Sequence, residues 1–408
     1  MCKITNFLGN NWYFCELKID INMDVSYILN DYVTLILLIL FAIATLWLCV
    51  YYGVIFLKIG RHGRTKKDLK AQLERQKSGR SEDSLPGVSV VLVAQNEGKY
   101  LRENLVYLLE QDYPNYEVVV VDYKSTDDTK FILQVCSQNY PNLRSVAMQE
   151  DVNMFHGRKL PLSIGIRSAK NDLILLIESD TKPTGFNWIR EMVGNYSHKD
   201  TKIVLGYCGI AKQKGLLNMM EQYDNLCFSA YYLSRALRGK ATTGTGRNLS
   251  YKKKFFFSQG AFTKHYTEEF GADDLFVNQN ADSANTAVCF APEARVEMEA
   301  KKTLKQWHLR RKQRESTFKL HPVLEKVERM TYPLVVLAFY AFMVLLLVKG
   351  FPWYFVAGGV AVKIAWQIIC FWQLGSQFDV KAVAWLSPLM EIYFWFANTI
   401  LRISTLHR

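Results

Sequence analysis

Asp122, Glu178 and Asp180 each lie just beyond a short apolar run, Asp122 after Glu117–Val121 (EVVVV), Glu178 and Asp180 after Leu173–Ile177 (LILLI). Carboxylates are hard oxygen donors. One or two of them, completed by the phosphate oxygens of a substrate, suit Mg²⁺ or Mn²⁺. Taken alone, the Glu-x-Asp triplet suits a solvated turn just as well. Its place after a buried strand favours ligation. Asp127 and Asp128 fit the first turn of a helix, where the dipole prefers negative charge.

The elements around these carboxylates follow from the pattern. Val88–Val93 (VSVVLV), Glu117–Val121 and Leu173–Ile177 are continuous apolar runs, as expected of strands buried on both faces. Leu101, Leu105, Leu108 and Leu109 recur at helical spacing until Asp112-Tyr113-Pro114-Asn115 breaks the helix. Ser125 or Thr126 suits the cap of a second helix, and Leu160–Ala169 reads as a third. Alternating strands and helices with apolar strands predict a parallel sheet covered on both faces. Ligands of such sheets bind beyond the carboxyl ends of the strands, where all three carboxylates converge.

The remainder of the chain reads as membrane-embedded. Val33–Leu57 is 25 residues without a charge, long enough for a hydrocarbon core of about 30 Å. Residues 58–80 follow with nine Lys or Arg against two acids, net +7. Basic residues crowd the cytoplasmic flank of a span, which puts residues 58–330 in the cytosol. Residues 299–329 carry net +6, so these two membrane-flanking stretches account for the chain's +12. They suit anionic headgroups, and their position argues against nucleic acid as the partner. Tyr332–Val348 and Trp353–Trp372 are further spans joined by Lys349-Gly350-Phe351-Pro352. Val383–Ile400 either spans or lies in the interface. Lys363 and Glu391 are costly within a bilayer unless partnered, and pairing with each other would embed this last helix. Leu216 to Leu233 form an apolar helical stripe suited to packing, and Trp307 suits an interfacial anchor. Eight cysteines show no C-x-x-C pair or metal-type His spacing, which argues against zinc. Met23 is an alternative start.

Four ordered segments carry a family resemblance. Val119–Thr129 (VVVDYKSTDDT), Ile177–Pro183 (IESDTKP), Gly244–Tyr251 (GTGRNLSY) and Phe270–Val277 (FGADDLFV) resemble the nucleotide, metal, sugar-site and catalytic-base motifs of family 2 glycosyltransferases. The flanking spans resemble the membrane-integrated branch that includes cellulose, chitin and hyaluronan synthases. The resemblance implies a Rossmann-like α/β GT-A domain, mainly parallel, over residues 87–300. Around it the expected order is an extracytoplasmic segment (1–32), a transmembrane helix (33–57), a basic linker (58–86), a basic interfacial segment (301–330) and a C-terminal membrane region of two or three helices (331–408).

The resemblance also implies roles. Asp122 would meet the nucleotide base or ribose, with Asn96 and Glu97 lining the same pocket. Lys159 would approach the diphosphate and Asn248 would stand beside the sugar. Asp180 would bind Mg²⁺ or Mn²⁺, with Glu178 near the metal or ribose. Asp273 would be the general base, with Asp274 as its rival. Tyr123, Glu178 and Ala272 replace acids usual in the family. The Q-x-x-R-W of processive synthases is degraded, Arg310, Gln313 and Arg314 standing at its Gln, Arg and Trp. The expected function is inverting transfer from a nucleotide sugar to a lipid-linked or glycan acceptor. The rival readings are a processive polysaccharide synthase and a catalytically silent nucleotide-sugar-binding scaffold.

Overall fold

The computed structural model describes residues 31–57, 59, 85–148, 157–197 and 200–406. Most of the expected extracytoplasmic segment and of the basic linker lies outside the described residues. α1 (Tyr32–Tyr52) runs into a π-helical segment, Gly53–Leu57. β1 (Val88–Ala94), α2 (Gly98–Leu109), β2 (Tyr116–Tyr123), α3 (Thr129–Asn139), β3 (Leu143–Met148), α4 (Lys159–Ser168) and β4 (Leu173–Leu176) then alternate. They are followed by β5 (Thr181–Pro183), α5 (Trp188–Gly194), β6 (Ile203–Gly206), β7 (Cys208–Ile210), α6 (Leu216–Ala236), β8 (Leu249–Lys252), α7 (Lys253–Ser258), α8 (Asp274–Asn280), β9 (Thr286–Cys289) and β10 (Val296–Met298). α9 (Leu304–Glu315), α10 (Val323–Val348), α11 (Trp353–Gln377) and α12 (Val383–Leu406) complete the chain.

Seven strands form one sheet in the order β3-β2-β1-β4-β8-β6-β9. β1 is parallel to both β2 and β4, and β2 is parallel to β3. β8 runs antiparallel to β4 and β6. Every residue of β1 is buried, as continuous Val/Leu runs require when helices cover both faces. β5, β10 and β7 form a second, three-stranded sheet.

Three local differences from the sequence reading have physical causes. α3 starts at Thr129, and neither Ser125 nor Thr126 caps it. The Ser125 Oγ instead accepts the Asn96 N–H at 3.0 Å, tying the β1 and β2 exit loops together. β3 has no counterpart in the sequence reading; LRSVAM is an edge strand with one buried residue among six, so no apolar run announces it. Trp307 is fully buried rather than anchored at the lipid surface. Its ring packs 5.6 Å from Phe394 of α12 and under the Arg311 guanidinium at 5.0 Å.

Tyr32–Leu57, Val323–Val348 and Trp353–Gln377 are long and apolar enough to cross a membrane. α12 packs beside them. The buried Lys363 ammonium of α11 pairs with Glu391 of α12, donates to Gln367 Oε1 at 2.9 Å, and Glu391 accepts from Tyr332 at 2.9 Å and from Tyr52. One polar cluster therefore ties α1, α10, α11 and α12. The α/β domain rests on this block through α6, where Tyr223 stacks on Phe371 at 5.3 Å.

Candidate active site

A cleft of about 400 Å³ opens at the carboxyl edge of the large sheet. Glu97, Glu178, Asp180, Asp273 and Asp274 line it, with Arg158, Arg247, Lys301, Arg310 and Arg314. β4 delivers Glu178 and Asp180 from one side. Gly271 turns the chain at φ +92° ahead of Asp273 on the other, a conformation that favours glycine.

Asp180 is 8% exposed. The Arg247 Nε donates to its Oδ1 at 3.2 Å and Nη2 to Oδ2 at 3.3 Å, while the Lys301 Nζ lies 3.6 Å from Oδ2. Burial opposes ionisation of Asp180, but the Arg247 and Lys301 charges outweigh it and hold the carboxyl well below the usual range. Arg247 also reaches Glu178 at 2.6 Å. Arg158 bridges Glu97 and Glu178, and the Ser179 hydroxyl bonds Glu97. Glu178 and Asp180 are hard oxygen donors at the cleft and fit a divalent ion that arrives with phosphates; Arg247 must then yield those oxygens. Among the described residues no group of three His, Cys, Asp or Glu forms a preassembled metal cage.

Asp273 and Asp274 are adjacent but differ in surroundings. Asp273 Oδ2 accepts the Gly246 N–H at 2.6 Å. Burial first, and then the like charge of Asp274, push its carboxyl up to about 6 against that bond. Asp274 Oδ2 accepts the Thr317 hydroxyl at 2.6 Å and lies 3.1 Å from His321 Nε2. Of the two, Asp273 has its carboxyl raised towards neutral pH, and Asp274 is tied to protein groups.

The other sequence-selected residues, Asn96, Asp122, Lys159 and Asn248, do not line this cleft. Asn96, at φ +54°, accepts the Thr126 N–H at 2.8 Å and shapes the β1 exit. Asp122 is the penultimate residue of β2, paired with Ala94 of β1, rather than the first residue beyond the strand; its Oδ1 is buried and has no hydrogen-bond partner among the described residues. Lys159 points into the protein, donating to the carbonyls of His265 and Glu268 at 2.7 and 2.6 Å, and burial brings its ammonium down to about 8. Asn248 is buried behind the cleft. It accepts from Trp188 Nε1 at 3.0 Å and donates to Tyr207 and Ala294 carbonyls at 2.8 and 2.9 Å. A Cβ on Gly206 would come 2.3 Å from it. The structure therefore brings Glu97, Glu178, Asp180, Asp273 and Asp274 to one cleft, and leaves the Lys159 and Asn248 side chains engaged with backbone outside it.

Sequence reasoning missed Arg247, although it stands inside GTGRNLSY, and Arg158, next to Lys159. Each was hidden because its acidic partners lie far along the chain.

Residues 89–259 match the family profile described as Glycosyl transferase family 2. The chain is 26% identical over 210 residues to glycosyltransferase AglE of Haloferax volcanii, covering 51% of this chain and 65% of that protein. It is 23% identical over 175 residues to a Methanococcus voltae protein named dolichyl N-acetyl-alpha-D-glucosaminyl phosphate 3-beta-D-2,3-diacetamido-2,3-dideoxy-beta-D-glucuronosyltransferase, covering 42% of this chain and 50% of that one. The match thus spans about half to two thirds of these relatives' own length. The solved mannosyltransferase PcManGT of Pyrobaculum calidifontis, in complex with GDP-Man and Mn²⁺, superposes with a TM-score of 0.51 at 17% identity, over 89% of this chain and 99% of that one. That similarity is one of fold. Residues 89–259 of this chain match a family 2 glycosyltransferase domain, and the chain carries a mostly parallel α/β sheet with GT-A-type structural neighbours.

Proposed function

We propose that this protein is a membrane-bound inverting glycosyltransferase. It moves a sugar from a nucleotide-sugar donor to a lipid-linked or polysaccharide acceptor, in the synthesis of a cell-surface polysaccharide or glycolipid. The observation that carries this reading is the opposition, within one cleft, of the Glu178–Asp180 pair and a proton-accepting Asp273. The first suits a diphosphate and its counter-charge; the second suits an acceptor hydroxyl.

In this reading the donor lies along the strand ends, its nucleotide towards Asp122, Asn96 and Glu97. Asp180, with Glu178 beside it, would hold a Mg²⁺ or Mn²⁺ brought in by the donor. A divalent cation there supplies charge to offset the leaving diphosphate. Arg158, Arg247 and Lys301 line the same stretch of cleft and add fixed positive charge where negative charge grows. The acceptor oxygen attacks the anomeric carbon as the bond from that carbon to the diphosphate oxygen breaks. Asp273 takes the hydroxyl proton, and the nucleoside diphosphate leaves with the bonding pair. Attack from the face opposite the leaving group inverts the centre.

Three membrane-length helices and the basic flank after Leu57 support a multi-pass protein of the cell membrane, a bacterial inner membrane, with its cleft in the cytosol. The name of the Methanococcus voltae relative supports a lipid-linked acceptor. A panel of labelled nucleotide sugars offered to membranes containing the protein tests the reading. One donor should label a lipid-extractable or polymeric product, and chelator should stop it. Binding of nucleotide sugars without transfer of any would favour the silent scaffold instead.

A further inference from the structure

His321 lies just ahead of α10, fully enclosed between two carboxylates. Its Nε2 is hydrogen-bonded to Asp274 Oδ2 at 3.1 Å, and its Nδ1 lies 3.0 Å from Glu325 Oε1, a close charge contact without hydrogen-bond alignment. A neutral imidazole has one donor nitrogen and one acceptor nitrogen. A neutral ring would leave a lone pair beside one of the carboxylates, whereas an imidazolium donates to Asp274 and sets its positive charge against Glu325. Asp274 belongs to α8, next to Asp273; Glu325 belongs to the first turn of a membrane-length helix. Asn278 of α8 makes a second tie, donating to Glu325 Oε2 at 3.0 Å.

We propose that His321 is a positioning residue: held as an imidazolium between Asp274 and Glu325, it ties Asp274 down, so that Asp273 alone takes the acceptor proton. The inference rests on the reading of Asp273 as the base and adds a residue remote from the substrate that acts through Asp274. The titratable and charged groups that bear on the clamp are Asp273, Asp274 and Glu325 themselves, Arg329, Arg235 and Tyr231 on the side of Glu325, and Lys159 and His265 on the side of Asp274. Burial disfavours a charge on His321, but the bonds and charges of Asp274 and Glu325 prevail and raise it to about 9. It therefore stays protonated across the range where Asp273 titrates. By holding Asp274 Oδ2 on its own ring it keeps that carboxylate from turning towards Asp273, whose carboxyl a nearer like charge would raise further.

The experiment is a pH–rate profile for transfer by the full-length protein in membranes, with donor binding measured alongside. His321→Gln should move the acid limb up by about one pH unit and leave donor affinity within about twofold. His321→Lys, which keeps the charge, should hold the limb near its wild-type position. Asp274→Asn removes the neighbouring charge and should move the limb down, which tests the same linkage should His321→Gln fail to fold. In the Asp274→Asn background, His321→Gln should no longer shift the limb. An unmoved limb in His321→Gln, or an equal shift with Asp274 already neutral, overturns the proposal. Asp273→Asn is run beside these variants: if it transfers at the wild-type rate, the base assignment fails; if it is inactive while His321→Gln leaves the limb in place, only the role of His321 fails.

Discussion

Arg247 covers both oxygens of Asp180, with Nε 3.2 Å from Oδ1 and Nη2 3.3 Å from Oδ2. The fork matches a carboxylate in the way that makes bidentate pairs strong. A cation on Asp180 has to displace this guanidinium, so the two compete. Arg247→Gln should bind Mn²⁺ alone at least about tenfold more tightly than wild type, read by titration in the absence of donor. In metal-free buffer the variant leaves the buried Asp180 with Lys301 but without its guanidinium and should lose about 1–3 kcal/mol of stability, which Mn²⁺ should restore. Equal Mn²⁺ affinity in both proteins would contradict the competition.

The Lys363–Glu391 pair should matter in the same way for the helical block. Both side chains are buried, and removing one partner strands the other charge in apolar surroundings. Lys363→Met should lower thermal stability in detergent by the equivalent of about 3–5 kcal/mol, while Lys363→Met with Glu391→Leu should recover most of the loss. A single variant as stable as wild type would show that the pair does not hold α11 to α12.

Much of this was legible from residue order because the informative contacts are local or repeat at a fixed period. The VSVVLV, EVVVV and LILLI runs mark β1, β2 and β4 because strands buried on both faces are apolar throughout. The carboxylates just past them then had to share an edge. Lys363 and Glu391 could be paired on paper because an apolar helix leaves a charge few partners. Other features were hidden. β5, β7 and β10 are three residues each, too short for a period. GTGRNLSY marked a sugar-site segment, yet its Asn248 packs against the backbone while the neighbouring Arg247 faces Asp180, 67 positions away. Lys159 reads as a diphosphate ligand by motif, but helix α4 aims it at the carbonyls of the 265–268 loop.

The Asp273 carboxyl, raised to about 6, sets the direction of pH dependence. The base acts only when ionised, so transfer should be on a plateau above about pH 7 and fall as pH drops through 6. At pH 5 the rate should be about tenfold below the plateau. The measurement is turnover at saturating donor from pH 5 to 8. A rate that stays level through this range would mean that no group titrating near 6 takes the proton.

The most direct test of the account is turnover of Asp273→Asn beside Asp274→Asn, with donor affinity measured for both. Asparagine keeps the size and the bond from Gly246 but cannot accept a proton. Asp273→Asn should bind the nucleotide sugar with near-normal affinity and transfer at least about a hundredfold more slowly. Asp274→Asn should be hurt less, because its carboxylate is engaged with Thr317 and His321. Near wild-type turnover by Asp273→Asn, or a greater loss in Asp274→Asn, would contradict the account.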